Sequence, residues 1–450
     1  MSANGNRLPP GPQGLPILGV SLELLRDVLG LLRRVAREYG DVARIPVLKG
    51  DRFLLNHPDL IEQLLVIQQT KFNKSTVSKE ATQRLLGQGL LISEGDFWRR
   101  QRRLAQPAFH RARINEYAAT MVQLAQAHAR EWRSGETRDM AHEMTATTLD
   151  IAVRTLFGTT LPGEAEQVGR AMTFLMRYSL GRARSPVTIP ASWPTPRNRR
   201  ANREYEFLDS LVYRIISERQ AQGNSVHHTD LLALLMSAMD EDGSQMTPRQ
   251  LRDETMTLFL AGHETTALTL SWTWYLLSEN PAAEARLHQE LSGVLGGRAP
   301  ELADLERLPY LQAVVNEVLR LYPPAYLLAR TSITPSNFGG YDFPVGSTIL
   351  VSQYVMHRDE RFYDDPDAFR PQRWLDGLAA RLPAGAYFPF GDGPRRCIGQ
   401  SFALLESALV IATIAQKFQF RLVAGHPVMP EPLVTLRPRH GIRMTLQARR

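Results

Sequence analysis

FPFGDGPRRCIGQSFALLE, residues 388–406, contains Cys397, and no other cysteine occurs in the 450-residue chain. A lone thiol excludes a disulfide framework and every cysteine-rich zinc or iron–sulfur site. It fits a reducing compartment, so a cytoplasmic protein is expected. A solitary cysteine is usually a small buried hydrophobe, but the setting of this one is unusual. Phe390, Gly393, Arg395, Cys397 and Gly399 stand in the order F-x-x-G-x-R-x-C-x-G. An apolar helical pattern follows at Ile398–Phe418. Glycines let a backbone turn tightly and approach a large flat ligand. A helix N-terminus and neighbouring arginines favour a thiolate over a thiol.

The chain around this stretch has ordinary globular composition, 43% apolar and 22% charged. Its formal charge is +7, and only five of its 53 basic residues are lysine. Acids and bases are interleaved, and no basic tail or nucleic-acid motif occurs, so nucleic-acid binding is not expected. The opening MSANGNRLPPGPQGLPILG has no unbroken apolar core of the signal-peptide kind. No stretch reaches the ~18 uncharged apolar residues of a membrane span, so a soluble protein is expected. The P-loop, dinucleotide, HxxxH and GxSxG patterns are all missing, which leaves no visible site for NAD(P)H or flavin.

With no internal repeat or long linker, residues 1–450 read as one domain behind a Pro/Gly-rich segment at 1–21. Apolar spacing predicts a helix over Leu22–Tyr39 and two short strands over Asp41–Asn56. Helical patterns then dominate to about residue 322. They are interrupted at Arg177–Arg203, where four prolines, seven arginines and Trp193 suggest a loop between two helices, or a mobile lid. Leu251–Asn280 is the longest helical pattern, about 45 Å at ~1.5 Å per residue, and it is apolar nearly all round. A central buried helix is expected there, with short strands after residue 326. The fold class is mainly α with a minor β part.

A thiolate in an apolar, oxygen-using site is the axial ligand that promotes O–O cleavage on haem iron. The stretch 388–406 resembles the haem-ligand signature of the cytochrome P450 superfamily, with all five fixed positions present. The resemblance extends from the Pro-rich N-terminal segment to the C-terminus and implies the cytochrome P450 fold, with a long central helix over haem b. It makes Cys397 the proximal iron ligand, places Phe390 against it, and pairs Arg395 with a haem propionate. Gly393 and Gly399 would keep the backbone close to the porphyrin.

Three further motifs fit. Ala261-Gly-His-Glu-Thr-Thr266 lies mid-helix, where an acid and two hydroxyls are costly unless satisfied or used. A threonine bonded back to its own helix and a buried Glu264 salt bridge would satisfy them. The family's [AG]-G-x-[DE]-T pattern instead implies that Gly262 and Thr265 open a groove. Thr265 would then face the reacting oxygen, Glu264 would pass protons inward, and Ala261 would form part of the distal wall. His263 is expected to be a satisfied polar residue, not a ligand. Glu317-Val-Leu-Arg320 is weak alone, but Phe369-Arg-Pro-Gln-Arg373-Trp374 follows some 50 residues later. The family joins these into a structural triad of Glu317, Arg320 and Arg373. Gln372 stands where many members have Glu. Trp98 and Arg102, at W-x-x-x-R spacing, would reach a propionate, as would Arg330. Arg99, Arg100, Arg103 and Arg396 would form a basic face for an acidic electron donor.

The implied protein is a monomeric haem-thiolate monooxygenase taking electrons from a separate donor, either ferredoxin with its reductase or a flavodoxin-type protein. Two rivals are a peroxide-driven enzyme or isomerase of the same family, and a haem sensor or electron carrier without turnover. The segments Phe72–Ile92, Met172–Pro194, Phe259–Thr266 and Ala325–Leu328 are expected to line an apolar substrate pocket. A fatty acid, terpenoid, steroid or polyketide-like molecule would suit it. Arg177, Arg182 and Arg184 tilt the expectation slightly towards a carboxylate, hence a fatty acid.

Overall fold

The long helix at the centre is specified at its start by local chemistry. Thr247 and Gln250 close a capping box: the Thr247 hydroxyl accepts from the Gln250 amide at 3.2 Å, and the Gln250 side chain accepts from the Thr247 amide at 2.7 Å. Pro248 occupies the first helical position, where no N–H is needed. The helix runs unbroken from Pro248–Glu279, and Pro281 opens the next one. Its flanks are buried on nearly every side, as an apolar circumference requires. The computed structural model describes residues 8–75, 82–161, 163–185, 189–222, 230–239, 243 and 245–449.

Helices Met140–Leu156, Pro309–Leu321 and Gln400–Ala415 pack around the long helix. Gly262 belongs to this packing. A Cβ there would lie 3.1 Å from Leu156 Cδ1, so the glycine admits the neighbouring helix closely. The helix continues through Thr265 without a break, the Thr265 hydroxyl donating to the Ala261 carbonyl at 2.9 Å.

The β part is small. One mixed sheet has the order Val42–Ile45, Arg52–Leu55, Thr348–Val351, Leu328–Ser332, Phe72–Lys74, with its single parallel pair between Arg52–Leu54 and Thr348–Leu350. A second sheet orders Thr137–Asp139, Arg443–Ala448 and Phe418–Leu422. Short hairpins form at 336–343 and 430–438. Among the described residues no helix is long and apolar enough to cross a membrane.

Two sequence expectations change. Leu22–Tyr39 is two helices, Ser21–Arg26 and Val28–Tyr39, because the Asp27 side chain caps the second through the Gly30 amide at 2.9 Å. Arg177–Arg203 is mostly helical, with helices Ala165–Arg184 and Pro196–Gln222 invading it from both sides. Arginine is a good helix former, and the described residues left between the two helices are 185 and 189–195. Pro186 and the side chain of Arg184 lie outside the described residues, as do positions 76–81 of the pocket segment Phe72–Ile92.

Trp272 links the long helix to the C-terminal hairpin. Fully buried, it stacks on Tyr322 with centroids 4.0 Å apart, and its indole donates to the Leu436 carbonyl at 3.1 Å. Trp272→Ala should lower stability by ~3–5 kcal/mol, and Trp272→Phe by less, since it keeps the stack. Thermal denaturation checks this, and equal midpoints for wild type and Trp272→Ala would refute it.

Candidate active site

The cysteine loop is built from the inside. Cys397 donates its amide to the Phe390 carbonyl at 2.9 Å, closing the turn 390–397. Phe390 packs against the main core. Gly393 has φ +65, and a Cβ on it would lie 2.2 Å from the Leu65 carbonyl oxygen. Backbone packing against residue 65 by itself demands a glycine here. Gly399 differs: its φ is −88, and an added Cβ would meet only the Phe109 ring at 3.7 Å. Helix Gln400–Ala415 starts directly after it.

Cys397 lies deep in the protein yet keeps exposed surface, the mark of a side chain facing an internal cleft. Burial raises its thiol pKa, opposed by the Gly399 amide and by the charges of Arg102 and Arg396. The arginines and the Gly399 amide favour the thiolate, as expected, and burial acts against them.

The long helix shows a matching opening. Ala261 is exposed and Thr265 half-buried, although Phe259, Leu260 and Ala267 beside them are buried. His263 is buried and satisfied, its Nδ1 2.7 Å from the Phe259 carbonyl. Burial lowers its pKa, so it is neutral. Glu264 turns to the C-terminal hairpin, where Arg437 Nε and Nη2 meet its Oε1 at 2.8 and 2.7 Å. Thr435 also donates to that oxygen. Glu264 thus sits in a buried salt bridge with a partner 173 positions away.

The arginines expected at propionates are placed as follows. Arg395 donates to the Ser93 carbonyl at 2.8 Å, pairs with Glu94, and stacks its guanidinium 3.8 Å over the Trp98 ring. Burial lowers its pKa to about 10, against the pull of Glu94. Arg102 donates to the Arg396 carbonyl at 2.8 Å and lies near enough to Cys397 for the two charges to interact. Trp98 and Arg102 therefore share a helix, Gly95–Ala105, but point to different partners. Arg330 lies deep in the protein and donates only to the adjacent Ala329 carbonyl at 3.1 Å, with no carboxylate in ion-pair contact among the described residues. On the basic face, Arg99 pairs with Asp96, and Arg396 Nε donates to Gln400 at 2.7 Å.

Glu317, Arg320 and Arg373 come together in the core. Arg320 grips Glu317 with Nε at 2.9 Å and Nη2 at 2.8 Å, and Arg373 Nε adds a bond at 3.0 Å. The Trp374 indole, at 2.8 Å, and the Arg370 amide, at 2.9 Å, complete the carboxylate's partners. Arg320 then ties the carbonyls of His357, Pro366 and Ala368. The His357 ring accepts the Phe388 amide at 3.0 Å, which brings the network to the start of the cysteine loop. Gln372 lies outside this network, donating to Asp376 at 2.6 Å. Sequence reasoning missed Trp374, Glu94, His357 and Arg437. Only Trp374 carried a signal, standing directly after Arg373.

These features fit haem. Among the described residues no group of three or more His, Cys, Asp and Glu could hold a bare metal ion, so a metal at Cys397 must bring its other ligands with it. An exposed thiol deep in the protein, an exposed alanine on a buried helix, and a deep arginine with no carboxylate in ion-pair contact among the described residues suit a large flat group bearing carboxylates. Comparison with known proteins agrees. The cytochrome P450 family model matches residues 9–445, and the chain belongs to that family. It is 38% identical to cyclooctatin synthase of Streptomyces melanosporofaciens, over 94% of this chain and 92% of that protein. Identity is 36% to cyclooctat-9-en-7-ol 5-monooxygenase of the same organism, over 92% and 90%. It is 31% to pentalenene oxygenase of Streptomyces avermitilis, over 97% of both chains. The protein is therefore a haem-dependent cytochrome P450 monooxygenase acting on a hydrophobic small molecule.

Two outcomes are expected. Glu317→Gln leaves two buried guanidiniums without their counter-charge and should cost ~3–5 kcal/mol, with a fall in haem content; unchanged denaturation and haem stoichiometry would disprove the role. His357, driven down to about 3 by burial and by Arg320 and Arg358, must stay neutral in the fold. Its unfolded pKa is near 6.5, so its contribution is complete above that pH and is lost as pH falls towards 3, at up to ~1.4 kcal/mol per pH unit. His357→Gln, which keeps an acceptor but takes no proton, should show a flatter loss of melting temperature between pH 6.5 and 4 than the wild type.

Proposed function

We propose that this chain hydroxylates a cyclic terpenoid or terpenoid alcohol, with electrons from a separate ferredoxin and its reductase. The carrying observation is the near full-length similarity to three Streptomyces proteins whose names denote a cyclooctatin synthase, a cyclooctat-9-en-7-ol 5-monooxygenase and a pentalenene oxygenase. Two of the three arginines that tilted the sequence reading towards fatty acids are engaged elsewhere. Arg177 pairs with Glu431 at 2.8 Å, and Arg182 donates to the Ile189 carbonyl at 2.5 Å. With Arg177 and Arg182 so engaged, an uncharged polycyclic substrate is the better match.

In this reading Cys397 would bind haem iron, Arg330, Arg395, Arg102 and Trp98 would hold its propionates, and Gly399 would leave room for it beside the backbone. The group supplies reductive activation of O₂, one oxygen atom going to the substrate and the other leaving as water, at a cost of two electrons and two protons. The protein's own task is to deliver protons and exclude water. Thr265 Oγ1, half-buried beside Ala261, is the final donor, and Glu264 replenishes it. The apolar side chains of the pocket hold the substrate by burial and shape.

Two measurements test this. Spectral titration should show a low-to-high-spin shift with cyclic terpenes and terpene alcohols at concentrations where fatty acids and steroids give none. A shift confined to fatty acids would overturn the substrate class. Thr265→Ala should cut product formed per NADPH consumed by about tenfold or more, with peroxide taking up the difference. An unchanged ratio would remove Thr265 from proton delivery.

A further inference from the structure

Glu264 is held by one oxygen only. Oε1 takes Arg437 Nε, Arg437 Nη2 and the Thr435 hydroxyl, whereas Oε2 accepts from no described residue. The holder belongs to the hairpin Pro430–Pro432 and Leu436–Pro438, in which Glu431 and Arg437 stand directly opposite each other. Each of this pair also reaches the helix Ala165–Arg184. Arg437 Nη1 donates to Thr173 Oγ1 at 2.9 Å, and Glu431 accepts from Arg177 at 2.8 Å. Thr173 and Arg177 are four residues apart and so share one face of that helix. The hairpin is fixed from the other side at Leu436, whose carbonyl accepts from Trp272 and whose amide donates to the Pro324 carbonyl at 2.9 Å. One rigid hairpin therefore joins the helix bordering the arginine-rich segment to the acid on the long helix.

We propose that Arg437 is a positioning residue for proton delivery: it anchors Glu264 by Oε1 so that Oε2 is the oxygen that takes and releases protons, and Thr173 and Arg177 brace this anchor from the Ala165–Arg184 helix. The proposal rests on the reading that Glu264 and Thr265 deliver protons. Its physical basis is the geometry of guanidinium. Two of its nitrogens converge on one carboxylate oxygen, and a third reaches Thr173, so the fork cannot rotate without breaking the contact to the Ala165–Arg184 helix. A lysine at this position would supply charge without the fork.

The experiment compares Arg437→Met, Arg437→Lys, Glu264→Gln and the double variant Arg437→Met/Glu264→Gln, each as the haem-loaded protein with its electron donors. Arg437→Met and Arg437→Lys should leave the reduced carbon-monoxide spectrum and the substrate spin-shift Kd within about twofold of wild type. Both should raise the share of NADPH lost to peroxide several-fold and alter the solvent kinetic isotope effect. Added to Glu264→Gln, Arg437→Met should change nothing further, because it acts through that carboxylate. Thr173→Val/Arg177→Met should shift peroxide loss in the same direction by less, and should speed amide exchange across residues 430–438, a readout independent of turnover. If Arg437→Met does not fold, Arg437→Lys is judged by the same criteria. Wild-type peroxide loss and isotope effect in the folded Arg437 variants would overturn the proposal, as would effects fully additive with Glu264→Gln. A silent Glu264→Gln would instead remove the proton-delivery reading itself.

Discussion

Everything near Cys397 hangs on one buried carboxylate. Glu317 is fully buried and accepts from two arginines, one indole and one backbone amide. Two guanidiniums against one carboxylate leave an excess positive charge in the core. The protein disperses it over carbonyl oxygens of residues 357–368. Such a network adds little stability compared with a well-packed apolar core. What it supplies is geometry. Each carbonyl held by Arg320 or Arg373 is a fixed point on an irregular stretch with no regular ladder of its own. Through His357 that order reaches Phe388, and through the Phe390 carbonyl it reaches the Cys397 amide.

The long helix is the second organising element, and it separates two kinds of environment. Its buried flanks pack against the neighbouring helices, while Ala261 is exposed and Thr265 half-buried. A helix lining a cleft must satisfy its polar residues on the packed side. Glu264 does so through the C-terminal hairpin, His263 through the Phe259 carbonyl, and Thr265 through Ala261. The hairpin is placed by Trp272 on the same helix, so the helix positions its own acid's partner.

Parts of this were legible before any coordinates. The cysteine signature could be read because it packs five chemically specific residues into ten positions, with no distant contact needed. Glu317 and Arg320 were legible as a pair by helix spacing, and Arg373 joined them through the resemblance to a family. Other features were invisible for a common reason. Glu94, His357 and Arg437 act through partners 31 to 301 positions away, and a single chain carries no mark of such pairing. The proline-rich segment misled in the opposite sense: arginines that read as loop residues are good helix formers, and they extend both flanking helices.

The amino-acid sequence by itself determined the chemistry: a single thiol in a glycine- and arginine-rich turn, a long apolar helix bearing an acid and hydroxyls, and a mainly helical chain. These are local properties, set by residue type and spacing along the backbone. Only the tertiary structure decided the protonation balance of Cys397, the turning of Glu264 towards Arg437, and the pairing of Arg395 with Glu94. Those outcomes depend on burial and on which charges fold against one another. Both are decided in three dimensions, by the whole set of packed elements at once.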